Sequence, residues 1–368
     1  MNVSSIQPTS AAFTKVALFK SSDLNEANHL LSGSNADGAH AFFLNASQFP
    51  ESDIYSSGSP VKNIGSTTGV GSPQTNWAIA ILNAWFSDPA ASSHIDPPTL
   101  HQSIYVNGTG GAFTKLPATT MPSSGTLSLG GLQGSTTSGF TGDIAELMLS
   151  TTSGGPSAAD INRLIALINN TYALSIPFFT KQVLYIGDSI TAGYIASGGG
   201  GSWVSSIAAL SPTRWHVNKG QASVGAEDII IQMPVQNGPI AGCGVSTSCV
   251  VFVGTNSISL YSKTGAQTYA SIQTICQNLR TSGASKIVVV TMLPRGSGVE
   301  AERQNLNNAL RVGYAGFADV LADVETLAMG AAGANANTLW YNVDGTHPND
   351  TGHALLAGLI SGCLTSIW

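Results

Sequence analysis

Ser189, Asp344, His347 and Asn256 are the residues of this chain whose types and spacing can carry out acyl transfer. The run Tyr185-Ile186-Gly187-Asp188-Ser189-Ile190-Thr191 reads as a strand entering a tight turn. Ser189 then falls beyond the carboxyl end of a strand, where ligands collect in open α/β sheets. Its hydroxyl can serve there as a nucleophile, and its own amide can donate to an oxyanion. Taken singly, Gly-Asp-Ser reads more readily as a helix cap. Its weight changes because Asp344-Gly-Thr-His347-Pro348-Asn349 follows the last expected strand and sets a carboxylate and an imidazole in one turn. His347 can take the Ser189 proton while Asp344 fixes the imidazole tautomer, in the chain order Ser, Asp, His. Alone, this second segment reads as a turn in which Asn349 caps a helix.

Two further segments could supply oxyanion donors. Phe252-Val-Gly254-Thr255-Asn256 ends a middle strand, and an Asn amide there can meet developing negative charge; its simpler reading is a turn-forming Asn. Asn218-Lys-Gly220-Gln-Ala-Ser-Val-Gly225 follows the second strand and offers a glycine N–H to the same pocket. Both Gly220 and Gly225 are candidates for it. Asp188 is adjacent to Ser189, so their side chains diverge, and it is expected to bond local backbone instead. His29, His40, His94, His101, His216 and His353 have no partner at ligand spacing and read as structural or surface groups. The Gly-x-Ser-x-Gly elbow is absent, because Thr191 stands in its last place.

The elements that must position these groups fall in two patterns, which set the expected domains at 1–176 and 177–368. In the first, short apolar or alternating runs (Phe13 to Lys20, His29 to Ser32, His40 to Asn45, Trp77 to Trp85, Gln102 to Val106, Asp143 to Leu149) are separated by Gly, Ser, Asn and Pro. That spacing predicts an antiparallel β-sandwich. Asn107-Gly108 and Gly130-Gly131 are expected turns. Ser157 is the expected N-cap of a helix from Ala158 to Leu174, where Ile161, Leu164, Ile165 and Ile168 recur at helical spacing. In the second pattern, continuous apolar strands (Val183 to Ile186, Trp215 to Val217, Val250 to Val253, Ile287 to Thr291, Val320 to Val324) alternate with helices. This predicts a parallel sheet covered on both faces. Gly198 to Gly201 is an expected loop before a helix beginning near Ser202.

Composition narrows the function classes. Of 368 residues only 9% are charged, against about 25% in an average protein, and the net charge is -6. There is no Lys/Arg surplus to neutralise phosphates, which excludes a basic nucleic-acid binder. No window reaches the length of a transmembrane segment, and Met1-Asn-Val-Ser-Ser carries neither the basic nor the apolar region of a signal peptide. The Ser-, Thr-, Asn- and Gly-rich, Lys-poor composition nonetheless leads us to expect a secreted protein. Cys243, Cys249, Cys276 and Cys363 are too few for a disulfide scaffold and lack the spacing of a zinc site, so no metal is expected. Cys243 and Cys249 are close enough in sequence to pair in an oxidising compartment. Cys276 and Cys363 are expected on helices covering opposite sheet faces, as free buried thiols.

The four segments together resemble the GDSL, or SGNH, hydrolases over about residues 180–368. The resemblance implies a three-layer α/β/α, flavodoxin-like fold and a serine esterase with Ser189 as nucleophile, His347 as base and Asp344 as orienting acid. It further implies an oxyanion hole of the Ser189 N–H, a glycine N–H, Gly225 being favoured and Gly220 the alternative, and the Asn256 side chain, and no cofactor. Ser257 stands where the family often has Asp. Residues 11–175 resemble concanavalin-like, laminin-G-type jelly rolls through Trp77-Ala-Ile-Ala-Ile, Tyr105-Val-Asn-Gly108, Leu127-Ser-Leu-Gly-Gly131 and Phe140-Thr-Gly-Asp-Ile-Ala-Glu146. Such domains often bind carbohydrate. The expected activity is therefore hydrolysis of small acyl esters, mainly acetyl, on carbohydrate. The alternatives are a lipid or general carboxylester hydrolase, and a carbohydrate-binding or adhesion protein whose hydrolase domain is inert.

Overall fold

The computed structural model describes residues 2–3, 12–21, 28–32, 40–44, 50–56, 59–65, 77–86, 99–106, 113–117, 127–129, 140, 142–150, 157–194, 196, 201–233, 243 and 246–368. Contacts divide the chain into two units, one of Met1–Ser87, Pro97–Thr180 and Pro212–Arg214, the other chiefly of Lys181–Ser211 and Trp215–Trp368.

Period-two alternation in the first unit is realised as antiparallel sheet. Phe113–Pro117, Thr99–Val106, Ala78–Phe86, Ala12–Ser21 and Gly142–Ser150 lie side by side in that order. A second sheet runs Asn28–His29, His40–Leu44, Pro50–Ser56, Ser59–Gly65, and a third joins Asn2–Val3, Leu127–Leu129 and Leu31–Ser32. Alternate residues Ala17, Phe19, Ala78, Ala80, Leu82, Ile104 and Val106 of the first sheet meet Leu30, Phe42 and Leu44 in one buried cluster. The expected turns Asn107-Gly108 and Gly130-Gly131 lie outside the described residues, as do Gly198 to Gly200.

The helix Ala158–Tyr172 closes this unit, with a reciprocal capping box between Ser157 and Asp160. It stops short of Leu174 because Ala173 turns left-handed at φ 51°, a conformation that an alanine does not advertise. The segment after it is tied to the helix by two asparagines. Asn169 donates to Ile176 O and accepts from Ile176 N–H, both at 2.9 Å. Asn162 does the same at Phe179, at 2.7 and 2.8 Å.

The second unit is a parallel sheet of β1 (Gln182–Gly187), β2 (Trp215–Asn218), β3 (Thr247–Phe252), β4 (Lys286–Val290) and β5 (Val320–Ala322), in the order β2-β1-β3-β4-β5. Its helices are α1 (Ser189–Ala192), α2 (Trp203–Leu210), α3 (Ala226–Gln232), α4 (Thr255–Ser259), α5 (Gly265–Thr281), α6 (Glu300–Gly313) and α7 (Asp350–Ser366). They pack in two groups, α2 with α7, and α5 with α3 and α6. The central strands are apolar on both sides and wholly buried, as a sheet covered on both faces requires. β5 ends before Val324 because Asp323 accepts from the Glu325 N–H and starts a tight 3-10 turn. In this strand order β2 is added on one side of β1 and β3 to β5 on the other, so the topological switch point lies between β1 and β3, the place where parallel α/β sheets hold ligands at the strand carboxyl ends. All four cysteines are free thiols.

Candidate functional site

The turn that carries Ser189 is built by close packing. Gly187 ends β1 where an added Cβ would lie 2.1 Å from Phe252 O and 2.2 Å from Thr191 Oγ1, so only glycine fits. Asp188 then caps α1 by accepting from the Ile190 N–H at 2.9 Å, the local backbone bond expected of it. Ser189 is therefore the first residue of the helix and not its cap. It is 6% exposed, and its N–H has no partner among the described residues. Asn218 at the end of β2 braces the turn, donating to Thr191 O at 2.9 Å.

His347 comes to Ser189 from a different kind of structure. After the bridge between Tyr341 and Pro348 the chain makes a loop held by its own hydrogen bonds. Asp344 Oδ1 accepts from the Thr346 and His347 N–H groups at 2.9 and 3.0 Å. Gly345 takes φ +60° at the turn. Asn342 Nδ2 donates to the carbonyls of His347 and Pro348. The side chains then fall in line: Asp344 Oδ2 lies 2.6 Å from His347 Nδ1, and His347 Nε2 lies 2.8 Å from Ser189 Oγ. Partial desolvation pushes the Asp344 carboxyl up. The bonds from the His347 ring and from the two N–H groups outweigh it and hold the carboxyl below its ordinary value. Asn349 also caps α7, accepting from the Gly352 N–H at 3.1 Å, so both readings of this segment are realised at once.

Asn256, 4% exposed, lies in α4 just after Gly254, whose φ of +138° needs a glycine. Its amide donates one N–H to Val224 O at 3.0 Å, and the second remains for the site. Its Oδ1 accepts from Arg295 Nη1 at 3.0 Å, and the same nitrogen donates to Ser259 Oγ at 2.6 Å. A cation on the oxygen fixes which end of the amide donates. Burial lowers the Arg295 pKa, while Asp188 and Asp344 act in the opposite sense, so the guanidinium lies within electrostatic reach of both.

Sequence reasoning missed Arg295. Lone arginines in loops carry no motif, and its place depends on Asn307 and the fully buried Arg303, which hold the Met292 backbone three residues earlier. Ser257 links α4 to α3, donating to Glu227 Oε2 and accepting from the Ala226 N–H, both at 2.8 Å.

The glycine expected among the oxyanion donors is not available from either position. The Gly225 N–H donates to Asp228 Oδ2 at 2.8 Å, capping α3. The Gly220 N–H donates to Asn218 Oδ1 at 2.9 Å. Both glycines are explained by space instead: a Cβ at Gly225 would lie 2.7 Å from the Tyr261 ring, and one at Gly220 would lie 2.3 Å from Ala192 N. His216 is structural, lying 2.8 Å from Tyr185 Oη. No cluster of ligating side chains fit for a metal occurs among the described residues, and no helix is long and apolar enough to cross a membrane.

Residues 185–355 match the model of the GDSL-like Lipase/Acylhydrolase family. The match covers less than half of the chain, so it is a similarity of this segment to that family. No curated protein matches the chain. Among solved structures, a G-D-S-L family protein from Desulfitobacterium hafniense DCB-2 is 18% identical over 50% of this chain and 99% of its own, with a TM-score of 0.41. A family 3 carbohydrate esterase from Talaromyces cellulolyticus is 16% identical over 51% of this chain and 98% of its own, with a TM-score of 0.38. The CBM40 of a Ruminococcus gnavus IT-sialidase, bound to α2,3 sialyllactose, is 16% identical over 43% of this chain and 82% of its own, with a TM-score of 0.31.

Proposed function

We propose that the chain is a serine esterase that removes small acyl groups, acetyl above all, from carbohydrate. The observation that carries this is the continuous hydrogen-bonded run from Ser189 Oγ through His347 to Asp344, at 2.8 and 2.6 Å. His347 Nε2 takes the Ser189 proton as Oγ bonds to the ester carbonyl carbon, and the carbonyl electron pair moves onto oxygen. The Ser189 N–H and the free N–H of Asn256 receive that oxyanion. Asp344 holds the imidazole with Nε2 toward Ser189 and balances the imidazolium that forms. Collapse breaks the bond to the alcohol, which leaves with the proton from His347. Water then attacks the acyl-enzyme by the same route, losing a proton to His347, and the carboxylic acid departs as Ser189 is restored.

The carbohydrate part rests on the company of the first unit, whose antiparallel sheets around one core we read as a concanavalin-like jelly roll. The test is acetate release from acetylated polysaccharide, and hydrolysis of p-nitrophenyl acetate and octanoate, with Ser189→Ala as the control. Wild type should release acetate, and Ser189→Ala should lower the rate by roughly five to six orders of magnitude. Preference for octanoate would instead make this a lipid or general carboxylester hydrolase. Glycan binding without turnover of any ester would make it a binding protein.

A further inference from the structure

We infer that Tyr194 is the platform on which the alcohol part of the substrate stacks, and that it selects alcohols presenting the C–H face of a pyranose ring. The inference rests on the esterase reading above and deepens it. Collapse of the tetrahedral intermediate requires the leaving oxygen to lie within hydrogen-bond reach of His347 Nε2, which has just received the Ser189 proton. The oxyanion lies the other way, toward Asn256. The alcohol is therefore on the His347 side of the site, where, among the described residues, Tyr194 lies against the imidazole.

Its ring centroid lies 4.9 Å from that of His347, with the planes inclined at 57°. It is held in register with the nucleophile: the Tyr194 N–H donates to Ser189 O at 2.9 Å. The intervening Gly193 has φ +80°, and a Cβ there would lie 2.7 Å from Ser202 Cβ. So the turn that places Ser189 also places Tyr194. Yet 48% of Tyr194 remains exposed, against a buried Tyr185 and a buried Tyr341 in the same unit. Val343, next to Asp344 in the chain, is 97% exposed, which adds an apolar side chain to the same loop. An aromatic face carries partial negative charge and receives C–H groups polarised by ring oxygens. A rigid pyranose offers such a face, whereas a short open-chain alcohol covers little of it.

The experiment compares two acetates that differ only in the alcohol, a monoacetylated methyl xylopyranoside and ethyl acetate, on wild type, Tyr194→Ala, Tyr194→Phe and Ser189→Ala, with Tm recorded for each. Wild type should prefer the sugar ester. Tyr194→Ala should lower kcat/KM on the sugar ester about tenfold more than on ethyl acetate, while Tyr194→Phe should stay within about twofold of wild type on both. Equal losses on the two esters would overturn the inference, because Tyr194 would then only be holding His347. An unaffected sugar ester, or a wild type without preference for it, would overturn it too. Failure of the esterase reading is distinguishable from either, because it appears as no turnover of either ester by the wild type, or as turnover surviving in Ser189→Ala.

Discussion

The two sides of the candidate site are held by different physics. In the proposed mechanism one side binds the electrophile and the other moves the proton; on the first, Ser189 and Asn256 are 6% and 4% exposed, in turns where the backbone has no room for a Cβ at Gly187 and no conformational choice at Gly254. On the proton-transfer side, the Asp344 side chain is 35% exposed and His347 14%, in a loop whose shape comes from hydrogen bonds among Asp344, Thr346, His347 and Asn342. Packing fixes position where a small displacement would spoil attack geometry. Hydrogen bonding to a carboxylate fixes a tautomer and a direction, which is what a base needs, and it does so without burying a charge. The difference predicts that variants on the hydrogen-bonded side lose chemistry, while those on the packed side lose it in proportion to the donor removed.

The sharpest break of that comparison is Asp344→Asn. It retains an oxygen for the loop N–H groups while losing the charge that orients His347. Its kcat should fall by about four orders of magnitude with Tm nearly unchanged; a Tm collapse would show that the loop depends on the charge itself. Next is Asn256→Ala, where loss of one oxyanion donor should cost about 100- to 1000-fold in kcat with KM little altered.

Arg295→Met tests whether the electrophile side depends on packing alone. If the guanidinium acts by fixing the Asn256 amide, kcat should drop roughly tenfold in the wild-type background and not at all in Asn256→Ala, a coupling that a double-mutant cycle reads directly. Additive losses would show that Arg295 acts on something else.

The smallest effect is on stability. His353 of α7 is buried, and its Nδ1 accepts from the Trp203 N–H at 3.4 Å. Desolvation lowers its pKa from 6.5 to about 4, with a further lowering by His347 and a partial offset by Asp350. Between those values the unfolded chain binds a proton that the folded chain refuses, so stability is lost as pH falls from 6.5 toward 4. The carboxyls of Glu300, Glu325, Asp319 and Asp323 are all held below their ordinary values by their arginine and backbone partners, so their contribution fades only at lower pH. His353→Gln should therefore flatten the upper part of an acid melting series and leave its lower part unchanged.

What could be read from the sequence follows from which signals are local. The parallel strands were legible because burial on both faces leaves an unbroken apolar run, and Ser157 was legible because a capping box is written in consecutive residues. Pro50–Ser56 and Ser59–Gly65 were not: Pro50, Glu51, Ser52 and Asp53 on one, and Ser59, Pro60 and Lys62 on the other, carry no apolar alternation. These strands pair with each other, so their register is set by a neighbour rather than by a pattern. Gly220 and Gly225 are hard to read for a related reason. A glycine motif announces close approach, but does not say whether a ligand or a neighbouring side chain is the visitor.

The sequence alone therefore determined the two kinds of sheet, the strand ends that carry Ser189 and Asn256, and the turn that pairs Asp344 with His347, because each is encoded within a few adjacent residues. The tertiary structure decided what depends on distance across the chain. A separation of 158 positions between Ser189 and His347 had to be closed to a 2.8 Å contact. Arg295 had to be brought to Asn256, the glycine amides committed to their own turns, and Tyr194 set against the imidazole. No local pattern encodes these, because each is the sum of strand order, crossover packing and the space left over.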